Sequence, residues 1–536
     1  MKIVLVGINS KYIHPNLAIR YLMVNSDFLV DIKEFTIKDT INNIYNNIIK
    51  ENPNVIGLSV YIWNVEIINK LLLMLKKHPN IKIILGGPEV SYEYDDYLYN
   101  KLTDYIIFNE GEVAFNMLLH SIADNKSLDH IPNLAYIKNN ELIRNTFEEN
   151  SNLDSLKNPY HLDYEDYVNK IQYIELSRGC PYHCSYCLAS LEKKVRYFDI
   201  NKVYENIEFL YSKGAKTFKF LDRTFNLKPK TAIELFKFII EKDFHNAIFQ
   251  FEISGDILND EIINYLTKNC PENLIRFEIG IQSIHDKVNK AVLRNQNTKK
   301  LFSNIKRLQD SNVILHLDLI AGLPYETLDL FEQTFNSTFN LYAKELQLGT
   351  LKLLKGTKLY YQRNEFGYKY DLSAPYEIYS NDYLDSDSMN TIKTVEESLE
   401  LFWNKGFMNN SIKLIIQNYD SPFKFFFNLG KYYLDKYKSF HRYQLVDVFL
   451  SLEAFINNND FVYDIRYDYL ARHNIKPKIY WENSINKNDI IRLFHKNNPD
   501  YNLDKLYKYS LVSKYYGGYI IALYYPDKKE FHKIKA

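Results

Sequence analysis

The chain has 536 residues, 66 basic and 66 acidic side chains, no net charge and four cysteines. At ~150 residues per domain this length predicts three or four domains, and 46% apolar against 25% charged residues excludes a wholly disordered chain. Zero net charge argues against bulk attraction to nucleic acid or anionic lipid, and no apolar run approaches the ~18 residues of a membrane span.

The start, Met1 to Gly7, is too short for a signal peptide and reads as a strand, which predicts a cytoplasmic protein. Strands are expected at Lys2–Val6, Val55–Val60, Ile81–Leu85 and Tyr105–Phe108, with helical spacing at Leu17–Leu22, at Glu66–Lys76 and up to Leu119. Apolar strands alternating with helices predict a doubly wound, flavodoxin-like parallel sheet. A hairpin is expected around Asn139-Asn140, and a polar linker with Pro159 follows.

The alternation resumes with strands expected at Gln172–Leu176, Thr217–Leu221, Ala247–Ile253, Leu274–Ile281, Val313–Ile320 and Glu345–Leu348. Six βα units in so short a span predict an open, partial TIM-type barrel, whose chemistry belongs where strands end. Beyond Gly356 helical patterns dominate, and the runs around Gly517-Gly518 read as a terminal hairpin. The predicted organisation is an α/β domain over 1–147, a linker over 148–170, a second α/β domain over 171–357 and a mainly helical region over 358–536.

Three of the four cysteines, Cys180, Cys184 and Cys187, fall within eight residues after the first strand of the second region, while Cys270 stands alone as a bystander. A structural zinc site needs four ligands and this loop supplies three. A 4Fe–4S cluster on three thiolates leaves one iron open. Ordinary buried cysteines are the bland alternative.

The run Cys180-Pro-Tyr-His-Cys184-Ser-Tyr-Cys187 resembles the hallmark of the radical S-adenosylmethionine (SAM) enzymes, including Tyr186 before the last cysteine. The resemblance implies that the three cysteines ligate the cluster, that methionine caps the open iron, and that one electron cleaves SAM to a 5′-deoxyadenosyl radical. Strand ends supply the expected SAM contacts: Asp222 for the methionine amino group, Arg223 for a carboxylate, Glu252 and Ser254 for carboxylate or ribose, Gln282 for ribose or substrate, and Leu323 in the segment resembling the adenine-contacting one. The family's usual Gly-Gly-Glu is absent. An electron donor such as flavodoxin or ferredoxin, and anaerobic work, are implied as well.

A flavodoxin-like sheet ahead of a radical domain is similar to the cobalamin-binding subclass, some of whose members carry an uncharacterised C-terminal domain. The resemblance places cobalamin contacts at Ser10, Tyr12, Ser59, Gly86, Gly87, Glu110 and Gly111. The Asp-x-His-x-x-Gly cobalt-ligand motif is missing, and His14 is not at its spacing. Radical methyl transfer or rearrangement on an unknown substrate is the expected activity. One alternative is a radical methylthiotransferase acting on tRNA or protein, against which counts the absence of cysteine before residue 180. Another is a non-catalytic iron–sulfur or metal-binding regulator.

Overall fold

The computed structural model describes residues 1–162, 166–457, 459–482 and 485–535; positions 163–165 of the expected linker lie outside the described residues. The chain divides into two compact units, one of residues 1–327 and 350–385, the other of 328–349 and 386–536.

The first unit opens with β1 (Ile3–Asn9), β2 (Val30–Thr36), β3 (Val55–Ser59), β4 (Lys82–Gly86), β5 (Tyr105–Ile107), β6 (Leu134–Lys138) and β7 (Glu141–Arg144). These form one sheet in the order β2-β1-β3-β4-β5-β6-β7, parallel through β5, with the expected hairpin β6–β7 added antiparallel. Both faces are covered. Val4, Val6 and Ile8 pack with Ile44, Ile68 and Leu72 on one side, and Ile3 and Leu5 with Ile19, Phe115 and Leu118 on the other. Seven consecutive buried residues in β1 follow from that double cover.

A second sheet contains β8 (Gln172–Ile174), β11 (Thr217–Phe220), β12 (Ile248–Ile253), β13 (Ile275–Gln282) and β14 (Ile314–Ala321), in the order β14-β13-β12-β11-β8. All of these pairings are parallel. Between β8 and β11 lies a short antiparallel ribbon, β9 (Ser177–Arg178) and β10 (Arg196–Tyr197), which brackets the cysteine loop.

Burial alternates strictly along β12 and β13. One face is aromatic: Phe218 stacks on Phe249 at 4.6 Å and Phe220 on Phe251 at 4.6 Å. The other carries Lys219, Gln250, Glu252, Arg276, Glu278 and Gln282. A parallel sheet covered by apolar layers on both faces reads as near-continuous hydrophobic runs, so this charged face departs from that pattern.

The sixth expected strand is present as Glu345–Thr350, almost wholly within the second unit. That unit is otherwise mainly helical, with long helices at Ser386–Leu399, Pro422–Tyr437, Leu445–Ile456 and Asn459–Arg472. It ends in a three-stranded antiparallel sheet, Ser510–Tyr515, Gly518–Tyr524 and Lys529–Lys535, where the sequence reading expected two strands. Among the described residues no helix is long and apolar enough to cross a membrane.

Candidate cofactor site

The cysteine loop leaves β9 through Gly179. Its φ of +94° suits glycine, and a Cβ there would lie 2.4 Å from the Lys194 carbonyl oxygen. The returning chain pins the loop: Cys180 N donates to Glu192 O at 2.8 Å, and Ser185 N donates to Val292 O at 2.8 Å. All three thiols are free; Cys180 and Cys184 are buried and Cys187 is half-buried. Burial pushes the Cys187 thiol up, Arg223 pulls it down, and the neighbouring Cys184 and Cys180 raise it further. Among the described residues no three His, Cys, Asp or Glu groups converge as a single ion requires. Three free thiols on one pinned loop beside cationic side chains fit a cluster held by cysteine thiolates.

The expected SAM residues surround this loop unevenly. Asp222 is 1% exposed, and its oxygens accept from Leu176 N at 3.0 Å and Ser177 Oγ at 2.5 Å. It holds the entrance of the cysteine loop. Burial pushes its carboxyl up to about 7. Arg223 is half-exposed, with Nη1 3.8 Å from Glu252 Oε2. Burial opposes its charge, while Glu252, Cys187, Glu192 and Cys180 favour it and set the net upward direction. Burial also raises Glu252, offset by Arg223 and Lys219 and reinforced by Glu278 and Asp318.

The Ser254 backbone is clamped at both ends by the fully buried Asn226, through bonds of 2.8 and 2.9 Å, and its hydroxyl donates to Asp256 at 2.9 Å. Gln282 ends β13 at a φ of +64°, and its buried Oε1 finds no hydrogen-bond partner among the described residues. A buried amide oxygen left unmet fits a ligand donor. Leu323 is fully buried. Just before it, Gly322 O accepts from Tyr368 OH and Asn381 Nδ2, both at 2.9 Å.

Arg294, which the sequence reading did not single out, donates to the Tyr186 hydroxyl at 3.2 Å and to Gly280 O at 2.5 Å. Burial works against its charge, yet Tyr186 and Cys184 raise it overall. Nothing in the cysteine motif marks this residue; it lies on a loop beyond β13. Cys270 caps the helix Asp260–Asn269, where burial pushes its thiol up to about 12.

At the carboxyl edge of the first sheet, several expected cobalamin contacts serve the protein itself. Ser59 Oγ accepts from Asn16 Nδ2 at 2.8 Å and donates to Val6 O at 3.3 Å. Tyr12 OH donates to Asp166 at 2.6 Å. Gly87 has a φ of +114°, and a Cβ there would meet Val60 O at 2.5 Å, so packing demands this glycine. Gly111 has an ordinary negative φ, and a Cβ would sit 3.3 Å from Leu22 Cδ2. Glu110 is held by Arg196 at 2.7 and 2.9 Å and by Asn150 N at 2.8 Å, and these partners pull its carboxyl down against the effect of burial. Ser10 is half-buried, and a Cβ on Gly86 would stand 3.4 Å from Ile107 O. Trp63, 44% exposed, stacks on Tyr61 with ring centroids 4.4 Å apart. That flat apolar surface beyond β3 fits a planar macrocycle.

Comparison with known proteins finds three family models along the chain. Residues 174–337 match the radical SAM superfamily, residues 3–119 the B12 binding domain, and residues 364–512 a protein family of unknown function, DUF4080. The chain is a radical SAM enzyme with a B12 binding domain. A radical SAM domain implies a 4Fe–4S cluster and SAM, and a B12 binding domain implies cobalamin.

An uncharacterised methyltransferase of Pyrococcus horikoshii is 23% identical to this radical SAM enzyme over 363 residues, 65% of this chain and 78% of that protein. The cobalamin-dependent radical SAM methyltransferase TokK of Streptomyces tokunonensis is 24% identical over 307 residues, 53% of this chain, and the match spans 44% of TokK. The structure of the cobalamin-dependent SAM radical enzyme OxsB with aqua-cobalamin bound shares the fold. Its TM-score is 0.62 at 14% identity, covering 88% of this chain and 79% of that one.

Proposed function

We propose that this enzyme transfers a methyl group to an unreactive carbon of a small-molecule substrate, using a 4Fe–4S cluster, SAM and cobalamin. The observation that carries the reading is a three-cysteine loop at the end of the first strand of a parallel sheet, in the same compact unit as a B12 binding domain. Methyltransferases among the relatives support it. When bound, the cluster with SAM supplies one-electron cleavage to a carbon radical, and cobalamin supplies a methyl carrier.

In this reading Cys180, Cys184 and Cys187 hold the cluster, and Asp222 fixes the loop that carries them. Arg223 and Glu252 orient the polar methionine groups by charge-assisted bonds. Gln282 Oε1 accepts a hydroxyl of the nucleoside, and Ser254 lines the same edge. Trp63, Gly86 and Ser10 face the corrin. An oxygen-sensitive cluster suits an anaerobic, cytoplasmic setting with a reduced flavodoxin or ferredoxin as donor. The domain borders expected from the sequence, near 147, 170 and 357, are part of the same proposal. A methylthiotransferase is disfavoured, since residues 1–150 hold no cysteine for a second cluster and match a B12 binding domain instead.

The test is anaerobic reconstitution with iron, sulfide and hydroxocobalamin, followed by incubation with SAM and a reductant. The reading expects corrin absorbance, 5′-deoxyadenosine and S-adenosylhomocysteine. Cluster-loaded protein that yields neither nucleoside refutes it.

A further inference from the structure

Arg178 stands two residues before Cys180, and its guanidinium faces three carboxylates. Nε and Nη2 bind the two oxygens of Glu175 at 3.0 and 3.1 Å, while Nη1 lies 2.7 Å from Glu112 Oε1 and 3.6 Å from Glu110 Oε1. Its Cζ lies over the rings of Tyr21 and Phe198, 5.0 and 5.8 Å from their centroids. Directly across the ribbon in register stands Arg196, whose Nη1 donates to Glu110 Oε2 at 2.9 Å and to Asn150 O at 2.8 Å, with Nη2 2.7 Å from Glu110 Oε1. The two arginine side chains are 12% and 3% exposed.

Glu110 and Glu112 belong to the loop after β5 and to the first turn of the helix Glu112–Asp124, on the carboxyl edge of the B12 binding domain. Like charges opposite one another in a ribbon are unfavourable unless acids intervene. Buried ion pairs add little stability over apolar packing, so bulk stability is a poor reason for this arrangement. Its particular quality is geometric, because the fork held on Glu175 fixes the direction in which Nη1 reaches Glu112.

We propose that Arg178 is a positioning residue that locks the cobalamin-side loop, through Glu112 and Glu110, to the cysteine loop, and so sets the spacing and orientation of the two cofactors. Arg196 braces the same strut from the opposite strand. The proposal rests on the cobalamin reading above.

The test uses full-length protein loaded with the cluster and cob(II)alamin, both paramagnetic when the cluster is reduced. Electron paramagnetic resonance reads the broadening of the cluster signal by cobalt, which depends steeply on separation and on angle. The wild-type protein is expected to show one defined broadening. Arg178→Gln and Glu112→Gln are expected to lose it or smear it over a range while retaining iron and corrin content, and Arg178→Lys falls between. Glu112→Gln leaves the Arg178–Glu175 fork intact and keeps the test decisive should Arg178→Gln fail to fold. Unchanged broadening in the folded variants overturns the proposal alone. Wild-type protein that takes up the cluster but no corrin overturns the cobalamin reading and the proposal with it.

Discussion

At the carboxyl edge of the first sheet Ser59, Gly87 and Glu110 are each occupied with the protein's own atoms, whereas at the edge of the second Arg223 is half-exposed and Gln282 Oε1 has no partner among the described residues. The first edge offers backbone, glycine and the Tyr61–Trp63 stack; the second offers charged and hydrogen-bonding side chains. A large macrocycle is held by surface and shape, and a small zwitterion by individual polar groups. The contrast teaches that glycines and acids near a strand end are weak markers of a ligand until their local partners are known.

The largest effect expected from breaking the contrast is at the second edge. Cys184→Ala should abolish cluster absorbance and nucleoside formation while leaving corrin uptake in place. Loss of both cofactors together would mean that the two edges are not separable. At the first edge, Gly87→Ala forces a Cβ against Val60 O in a backbone region unfavourable to alanine, and should lower stability by roughly 1–3 kcal/mol in thermal unfolding. Unchanged unfolding with lost corrin would show that this glycine faces a ligand after all.

Asp222 sharpens the comparison through pH. Its folded carboxyl is raised by burial to about 7 from 3.8, so between those values the folded chain holds a proton that the unfolded chain has released. Its contribution to stability is full below the unfolded value and declines as pH rises through the folded one, by about 1.4 kcal/mol per unit. Asp222→Asn should remove that slope from urea midpoints measured between about pH 5 and 7, and a slope that persists in the variant would assign it to another group. The smallest effect is expected at Gln282→Ala, about 1 kcal/mol or roughly fivefold weaker SAM binding by calorimetry on cluster-loaded protein. Ser59→Ala should leave SAM binding unchanged, and equal losses in the two variants would erase the contrast.

The buried strands and the cysteine loop were legible because apolar runs and the C-x-x-x-C-x-x-C spacing are local signals. Val30–Thr36 was missed because it is an edge strand, buried at Val30 alone, so its polar residues hide the pattern. Lys529–Lys535 was missed for the same reason, with three lysines in an edge strand that reads as a charged tail. The grip of Asp222 on the cysteine loop was not legible, since its hydrogen bonds reach back 45 and 46 residues. The Arg178 and Arg196 network joins segments up to 86 residues apart and leaves no periodic trace.

The ribbon that carries those two arginines bears on where the polypeptide can be cut. A chain begun at residue 171 would retain Arg178 and Arg196 but lose Glu110, Glu112 and the Asn150 carbonyl. The cut would also strip away Tyr21, which covers Arg178, and leave Glu175 and Glu192 as the acids retained beside the two guanidinium groups. Water would take the place of the lost acids, and the two side chains would lose the fixed directions that Glu112 and Glu110 give them. Excision at the linker therefore severs an electrostatic unit, even though the sequence there reads as a natural boundary.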